Sequence, residues 1–109
     1  MYDLVERLKS KQHWKWYIFA LERTHGANRM LQRNVTFRNL KDNLKVGELL
    51  PNQNPDVIRC VGNSTGRFMT AILRPLLESR CWELWDVRPS YEPEIEEYKK
   101  LKRLKKNRK

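Results

Sequence analysis

The sequence predicts an α+β protein: an N-terminal helix, a short helix, a small antiparallel β-meander and a basic C-terminal helical tail. Three observations carry this expectation. Apolar residues recur at steps of three and four through much of the N-terminal half. Short β-branched runs bounded by turn residues fill residues 56–89. The last eleven residues, "KKLKRLKKNRK", contain eight Lys or Arg. A chain of 109 residues has room for one small domain, expected at residues 1–91, with residues 92–109 as a basic helical extension. A chain this short buries only about two-thirds of its unfolded surface, so its margin of stability is thin.

The elements follow in order. Leu4, Val5 and Leu8 start a stripe that Trp14, Tyr17, Ile18 and Leu21 continue after a slip of register, which predicts a helix over residues 3–25. Gly26 is placed to stop it, with Arg23 and His25 in its last turn and Arg7, Lys9, Lys11 and Lys15 on its polar face. Residues 28–50 are ambiguous, although Thr36 could cap a short helix carrying Phe37, Leu40 and Leu44. Pro51 and Pro55 then mark a polar loop.

"DVIRCVG" and "RFMTAIL", separated by the turn signal "NSTG", read as strands. The second is apolar on both faces and so requires cover on both; Pro75 ends it. "CWELWDV" follows, again with large apolar groups on both faces. One face can be covered by the helices, the other by the tail, the N-terminal segment or a partner. In the tail, Pro93 suits a first helical turn, Glu94, Glu96 and Glu97 oppose the helix dipole, and Glu96 pairs with Lys100. Ile95, Tyr98, Leu101 and Leu104 supply a thin apolar stripe.

The net charge is +10, and residues 7–80 alone contain fourteen Lys or Arg against five acids. A surplus spread over the chain and concentrated at one end suits a polyanion, of which RNA and DNA are the usual ones. The residues expected to contact phosphate are Arg59, Arg67, Arg74, Arg80 and Arg88 on or beside the strands. In the tail they are Lys99, Lys100, Lys102, Arg103, Lys105, Lys106, Arg108 and Lys109. Trp14, Trp16, Trp82 and Trp85 are expected to pack the core or to face neighbouring proteins.

Several classes are set aside. The longest apolar run, "WYIFAL", is six residues, so no membrane insertion is expected. The N-terminus carries Asp3 and Glu6 and shows no cleavable presequence. Cys60 and Cys81 lack metal-ligand spacing, and whether they pair is open. No nucleophile–base arrangement, phosphate loop or dinucleotide turn is visible, so the expectation is a protein without cofactor, small-molecule substrate or enzymatic activity.

The stretch "GRFMTAILRPLLESRCWELWDVRPSY" resembles the mitochondrial small-subunit ribosomal protein thirty-four family, over residues 40–91. Gly66, Arg67, Phe68 and Met69 match that family's strand start, and Glu78, Ser79, Cys81, Trp82 and Val87 match its later half. "NLKDNLKVGELLP" is similar to the short helix that precedes its hairpin. The resemblance implies a structural constituent of the small ribosomal subunit in the mitochondrial matrix, bound to ribosomal RNA and neighbouring ribosomal proteins. Two other readings stay open. One is a non-catalytic accessory or adaptor subunit of a protein complex, such as a respiratory-chain assembly. The other is a free-standing nucleic-acid-binding regulator.

Overall fold

The computed structural model describes residues 3–9, 13–20, 25–64 and 66–106. The run at residues 56–89 supplies β3 (Ile58–Gly62), β4 (Met69–Leu76) and β5 (Cys81–Pro89), which pair antiparallel. They are not a free meander. β2 (Glu48–Pro51) adds antiparallel to β3, and β1 (Tyr17–Phe19) adds parallel to β5, giving a mixed five-stranded sheet in the order β1-β5-β4-β3-β2. Among the described residues four helices accompany it: α1 (Asp3–Lys9), α2 (His25–Gln32), α3 (Phe37–Val46) and α4 (Glu92–Lys106).

The expected small antiparallel meander is therefore corrected to a mixed sheet, and the physical reason lies in two short segments. The aromatic and β-branched residues at 16–19 fit a strand as well as a helical stripe, and pairing with β5 decides the matter. The N-terminal helix stops at Lys9, and a single 3-10 turn (His13–Lys15) leads into β1. Gly26 falls inside α2 instead of ending a helix, and Lys11, Leu21 and Arg23 lie outside the described residues.

The main core lies on one face of the sheet. Ile58 and Cys60, Met69, Ala71 and Leu73, and Trp82, Leu84 and Val87 pack there against Leu40 and Leu44 of α3 and Val5 and Leu8 of α1. Leu84 and Val87 are three apart, so simple alternation would put them on opposite faces. Trp85 is an extra residue between the Leu73–Leu84 and Ile72–Asp86 pairs, and this bulge restores both to the core. Trp82 is fully buried, and its indole N–H donates to the His13 carbonyl at 2.8 Å.

α3 is held by a capping box: the Asn39 N–H donates to Thr36 Oγ1 at 3.1 Å, and the Thr36 N–H donates to Asn39 Oδ1 at 2.9 Å. From its inner face the buried Asn43 amide donates to the Cys60 carbonyl at 3.2 Å. Gly62 allows this approach, since a Cβ there would stand 2.6 Å from Asn43 Oδ1.

α4 covers part of the opposite face. Glu48, Val61, Thr70 and Arg88 stand side by side across β2, β3, β4 and β5. At one end of α4, Glu94 accepts hydrogen bonds from Arg88 Nη1 (2.7 Å) and Nη2 (2.9 Å), Arg59 Nη1 (3.0 Å), Thr70 Oγ1 (3.1 Å) and the Tyr91 N–H (2.8 Å). At the other end, Lys105 Nζ donates to Glu48 Oε2 at 2.7 Å, with Lys102 Nζ 4.0 Å from Oε1. The helix between Glu94 and Lys105 is about 16 Å long; the three spacings from β5 to β2 come to about 14 Å. The helix therefore lies across the strands, tied at both ends, with the Tyr98 ring edge-on to Phe68 at 5.3 Å.

Burial alone would push the Glu94 carboxyl up, but hydrogen bonds from Arg88, the Tyr91 N–H and Arg59 outweigh it and hold the pKa at about 2, against 4.5 ordinarily. A carboxyl depressed in the folded state adds stability that is present above its unfolded pKa and lost as pH falls through its folded one. Glu94→Ala is expected to cost about 3 kcal/mol in urea unfolding, because it strands two partly buried guanidiniums. The wild-type protein should lose stability between pH 4.5 and 2, and Glu94→Gln should abolish that component of the acid titration.

Candidate nucleic-acid interface

Beyond α4 the same sheet face carries further side chains, and α2 reaches β5 there through Arg29 Nε, 3.7 Å from Asp86 Oδ1. Arg59 stands opposite Ile72, Arg74 opposite Glu83, and Glu83 opposite Phe19, so these side chains share the face that α4 crosses. Tyr17, two residues from Phe19, shares it too and is 68% exposed. These side chains form a row beside α4 across the strands, called the trough below.

At its centre Arg74 Nη1 lies 4.0 Å from Glu83 Oε1, with the guanidinium half exposed. The Trp85 indole N–H donates to the same Glu83 oxygen at 2.7 Å. Glu83 and Trp85 are two apart on β5, so strand alternation puts both on the face away from Leu84 and makes this contact possible. Trp85 is 38% exposed, so its ring face stays accessible while its N–H is fixed. On the other side of Arg74 an open groove is lined by Pro51, Gln53, Pro55, Arg59, Leu77 and Glu97. An acceptor carboxylate, a half-exposed guanidinium and exposed rings on one face can hold a phosphodiester, stack a base and take up a proton.

The residues expected to meet phosphate divide into three groups. Arg59 and Arg88 point inward to Glu94, and Lys102 and Lys105 turn to Glu48. Arg88 is further occupied by the Tyr91 ring, 3.9 Å below its guanidinium carbon, and its pKa is raised, chiefly by the hydrogen bond to Glu94. Exposed residues are Arg74, Arg80 in the β4–β5 turn at a positive φ of 54°, Lys99, Lys100 and Arg103 on the outer side of α4, and Arg67, which donates to the Arg33 carbonyl. Arg108 and Lys109 lie outside the described residues, as does the side chain of Lys106.

Of the tryptophans, Trp16 and Trp82 are core, Trp14 is half-buried against that core, and Trp85 is exposed. Composition and motif spacing gave no sign of Glu83 or Tyr17. The available signal was hairpin register, which sets Glu83 against Arg74 although nine residues separate them.

The cysteines do not pair: Cys60 is buried and Cys81 half-buried, both as free thiols. Burial pushes the Cys60 thiol up to about 12, so it is not a nucleophile. Burial likewise lowers the pKa of His13, which sits against Trp82 on the core side. Among the described residues, no three His, Cys, Asp or Glu side chains are grouped to hold a metal, and no helix is long and apolar enough to cross a membrane.

No protein-family model matches the sequence, and no curated protein matches it. Among solved structures the fold is similar to that of the ribonuclease toxin BrnT of Brucella abortus. The TM-score is 0.52 at 13% identity, covering 72% of this chain and 100% of that one. This overturns the ribosomal resemblance, because the shared fold is that of a ribonuclease toxin and no family model supports the ribosomal family. The expectations built on that resemblance are corrected with it: a ribosomal constituent or complex adaptor, partners in ribosomal RNA and neighbouring ribosomal proteins, and a protein outside catalysis. They arose because a twisted hairpin with a Gly-Arg start and aromatic return strand is a pattern many sheets can carry, while the residues that could do chemistry meet only across strands.

Polyanion binding should separate the two sets of cations. Replacing Lys99, Lys100 and Arg103 together with Ala is expected to flatten the dependence of log K on log salt by about 2 for single-stranded RNA, with the melting temperature unchanged. Arg88→Ala should lower the melting temperature and leave the salt slope within about 1 of wild type. Filter binding over a salt series, beside thermal denaturation, checks both.

Proposed function

We propose that this chain is a ribonuclease of the toxin kind that cleaves RNA in the trough centred on Arg74 and Glu83. The observation that carries this reading is the fold likeness to a ribonuclease toxin over the whole length of that protein. The trough adds what the chemistry needs. A strand of RNA laid beside α4 would pass Lys99, Lys100 and Arg103 along the helix and reach Arg74 on the sheet.

With the scissile phosphate on Arg74, the neighbouring ribose 2′-hydroxyl gives its proton to Glu83, and its oxygen attacks phosphorus. The bond from phosphorus to the 5′-oxygen breaks, and that oxygen takes a proton from water. The products are a 2′,3′-cyclic phosphate and a 5′-hydroxyl. Arg74 stabilises the charge that builds on the phosphoryl oxygens, and the Trp85 N–H fixes the Glu83 carboxylate that receives the proton. Exposed Tyr17 and Trp85 offer faces on which unpaired bases can stack.

Glu83→Gln is expected to slow cleavage of a single-stranded RNA by about 10²-fold or more, and Arg74→Ala by about 10²-fold, with melting temperatures held. Fragments resolved on a gel, with end-group analysis for the cyclic phosphate, check this. Induction of the wild-type chain in a bacterial host should slow growth, and induction of Glu83→Gln should not. Equal cleavage by wild type and both variants would exclude the trough as the active site.

A further inference from the structure

The groove beside Arg74 has no role in bond cleavage as described, yet Arg74 belongs to both. One wall is the loop between β2 and β3, with Pro51, Gln53, Pro55 and Asp56; the rest is formed by the end of β4 with Leu77, by Glu97 of α4 and by α1. Its lining is mixed: apolar and proline side chains stand beside amides and acids, and its cations are Arg7, Arg59 and Arg74. The groove holds about 1090 Å³, just above the range for small-ligand sites of about 300–1,000 Å³. A groove with apolar and proline surface beside guanidiniums suits a ligand with a flat ring at one end and a phosphate at the other.

We infer that this groove is the binding subsite for the nucleotide adjoining the cleaved bond: its base enters between the β2–β3 loop and Leu77 while its phosphate rests on Arg74. The inference rests on the ribonuclease reading, and it deepens that reading by naming where one base is held and what holds it. Three placements support it. Arg59 cannot itself take the phosphate, because Nη1 goes to Glu94 and Nε and Nη2 go to the Pro51 carbonyl at 3.0 and 2.8 Å. Those bonds instead fix Pro51, so one wall of the slot is set before any ligand arrives.

Arg74, half exposed and 4.0 Å from Glu83, is the groove cation on the sheet that can take the phosphate group. The loop offers the groups that tell bases apart. Gln53 is exposed on it and lines the groove, and its backbone N–H donates to Asn52 Oδ1 at 2.8 Å, which holds the Asn52 side chain. Amide groups pair with base edges, whereas arginine on phosphate positions the strand without reading it.

The test is calorimetric titration of the full chain with adenosine 3′-monophosphate, cytidine 3′-monophosphate and inorganic phosphate. The nucleotides are expected to bind at least about tenfold more tightly than phosphate, the size of one buried base contact. Gln53→Glu, a change on an exposed loop, should bring that ratio toward one and leave phosphate binding unchanged. Asp56→Lys should tighten nucleotide binding, with melting curves confirming both folds.

A wild-type ratio near one, or a ratio untouched by Gln53→Glu, overturns the inference. RNA cleavage by the same preparation is scored separately. Cleavage with a ratio near one overturns the subsite and leaves the ribonuclease reading standing. A tenfold ratio without cleavage supports the groove as a nucleotide site and overturns the ribonuclease reading.

Discussion

The structure depends on one carboxylate. Glu94 receives five hydrogen bonds from three strands and from the backbone of its own helix cap. A buried charge is tolerated only when its partners repay its lost hydration, and here arginines from β3 and β5, joined by Thr70 of β4, do so at once. The consequence is positional. Glu94 sits at the third residue of α4 and takes the Tyr91 N–H that an N-cap side chain would otherwise leave to water. A single side chain therefore starts the helix and fixes it to the sheet.

What α4 covers also decides what it leaves open. Because its far end is tied to Glu48 on β2, the helix crosses four strands instead of running along one. Only a short apolar patch, with Leu50 and Val61 buried on that face, lies outside the main core cluster. A helix with so thin a stripe is marginal alone in water, which is why its ends are held by charge. The half-face beside it carries the trough, with α4 along one side and Trp85 and Tyr17 exposed beyond it.

Much of the fold was legible where the sequence signal was local. The β-branched runs near 58, 69 and 81 became strands, and Thr36 became a helix cap, because each depends on near neighbours. β1 was not legible: Trp16 to Phe19 satisfy helical spacing and strand alternation alike, and a parallel contact to residues 81–83 settled it. The role of Glu94 was hidden for a related reason. In sequence it is one of four glutamates at a helix start, where dipole complementarity explains it adequately; its arginines stand six and thirty-five positions away. Glu83 was passed over because catalytic pairs are recognised by spacing, and a hairpin brings together residues that no fixed spacing links.

Charge poses a sharper question, since several cations expected to face RNA are spent on the fold. Arg59 and Arg88 serve Glu94, and Lys102 and Lys105 serve Glu48, so a simple count would remove them from any interface. Potential does not follow that count. Each tie sets two cations against one carboxylate and so keeps one net positive charge. Held in a partly desolvated position, that charge is less screened than a lysine waving in solvent. The two ties sit at opposite ends of α4, with Lys99, Lys100 and Arg103 exposed between them. The groups that fasten the helix thereby keep the wall of the trough cationic along its length. Stability and attraction for a phosphate chain come from the same pairs, and neither is gained at the expense of the other.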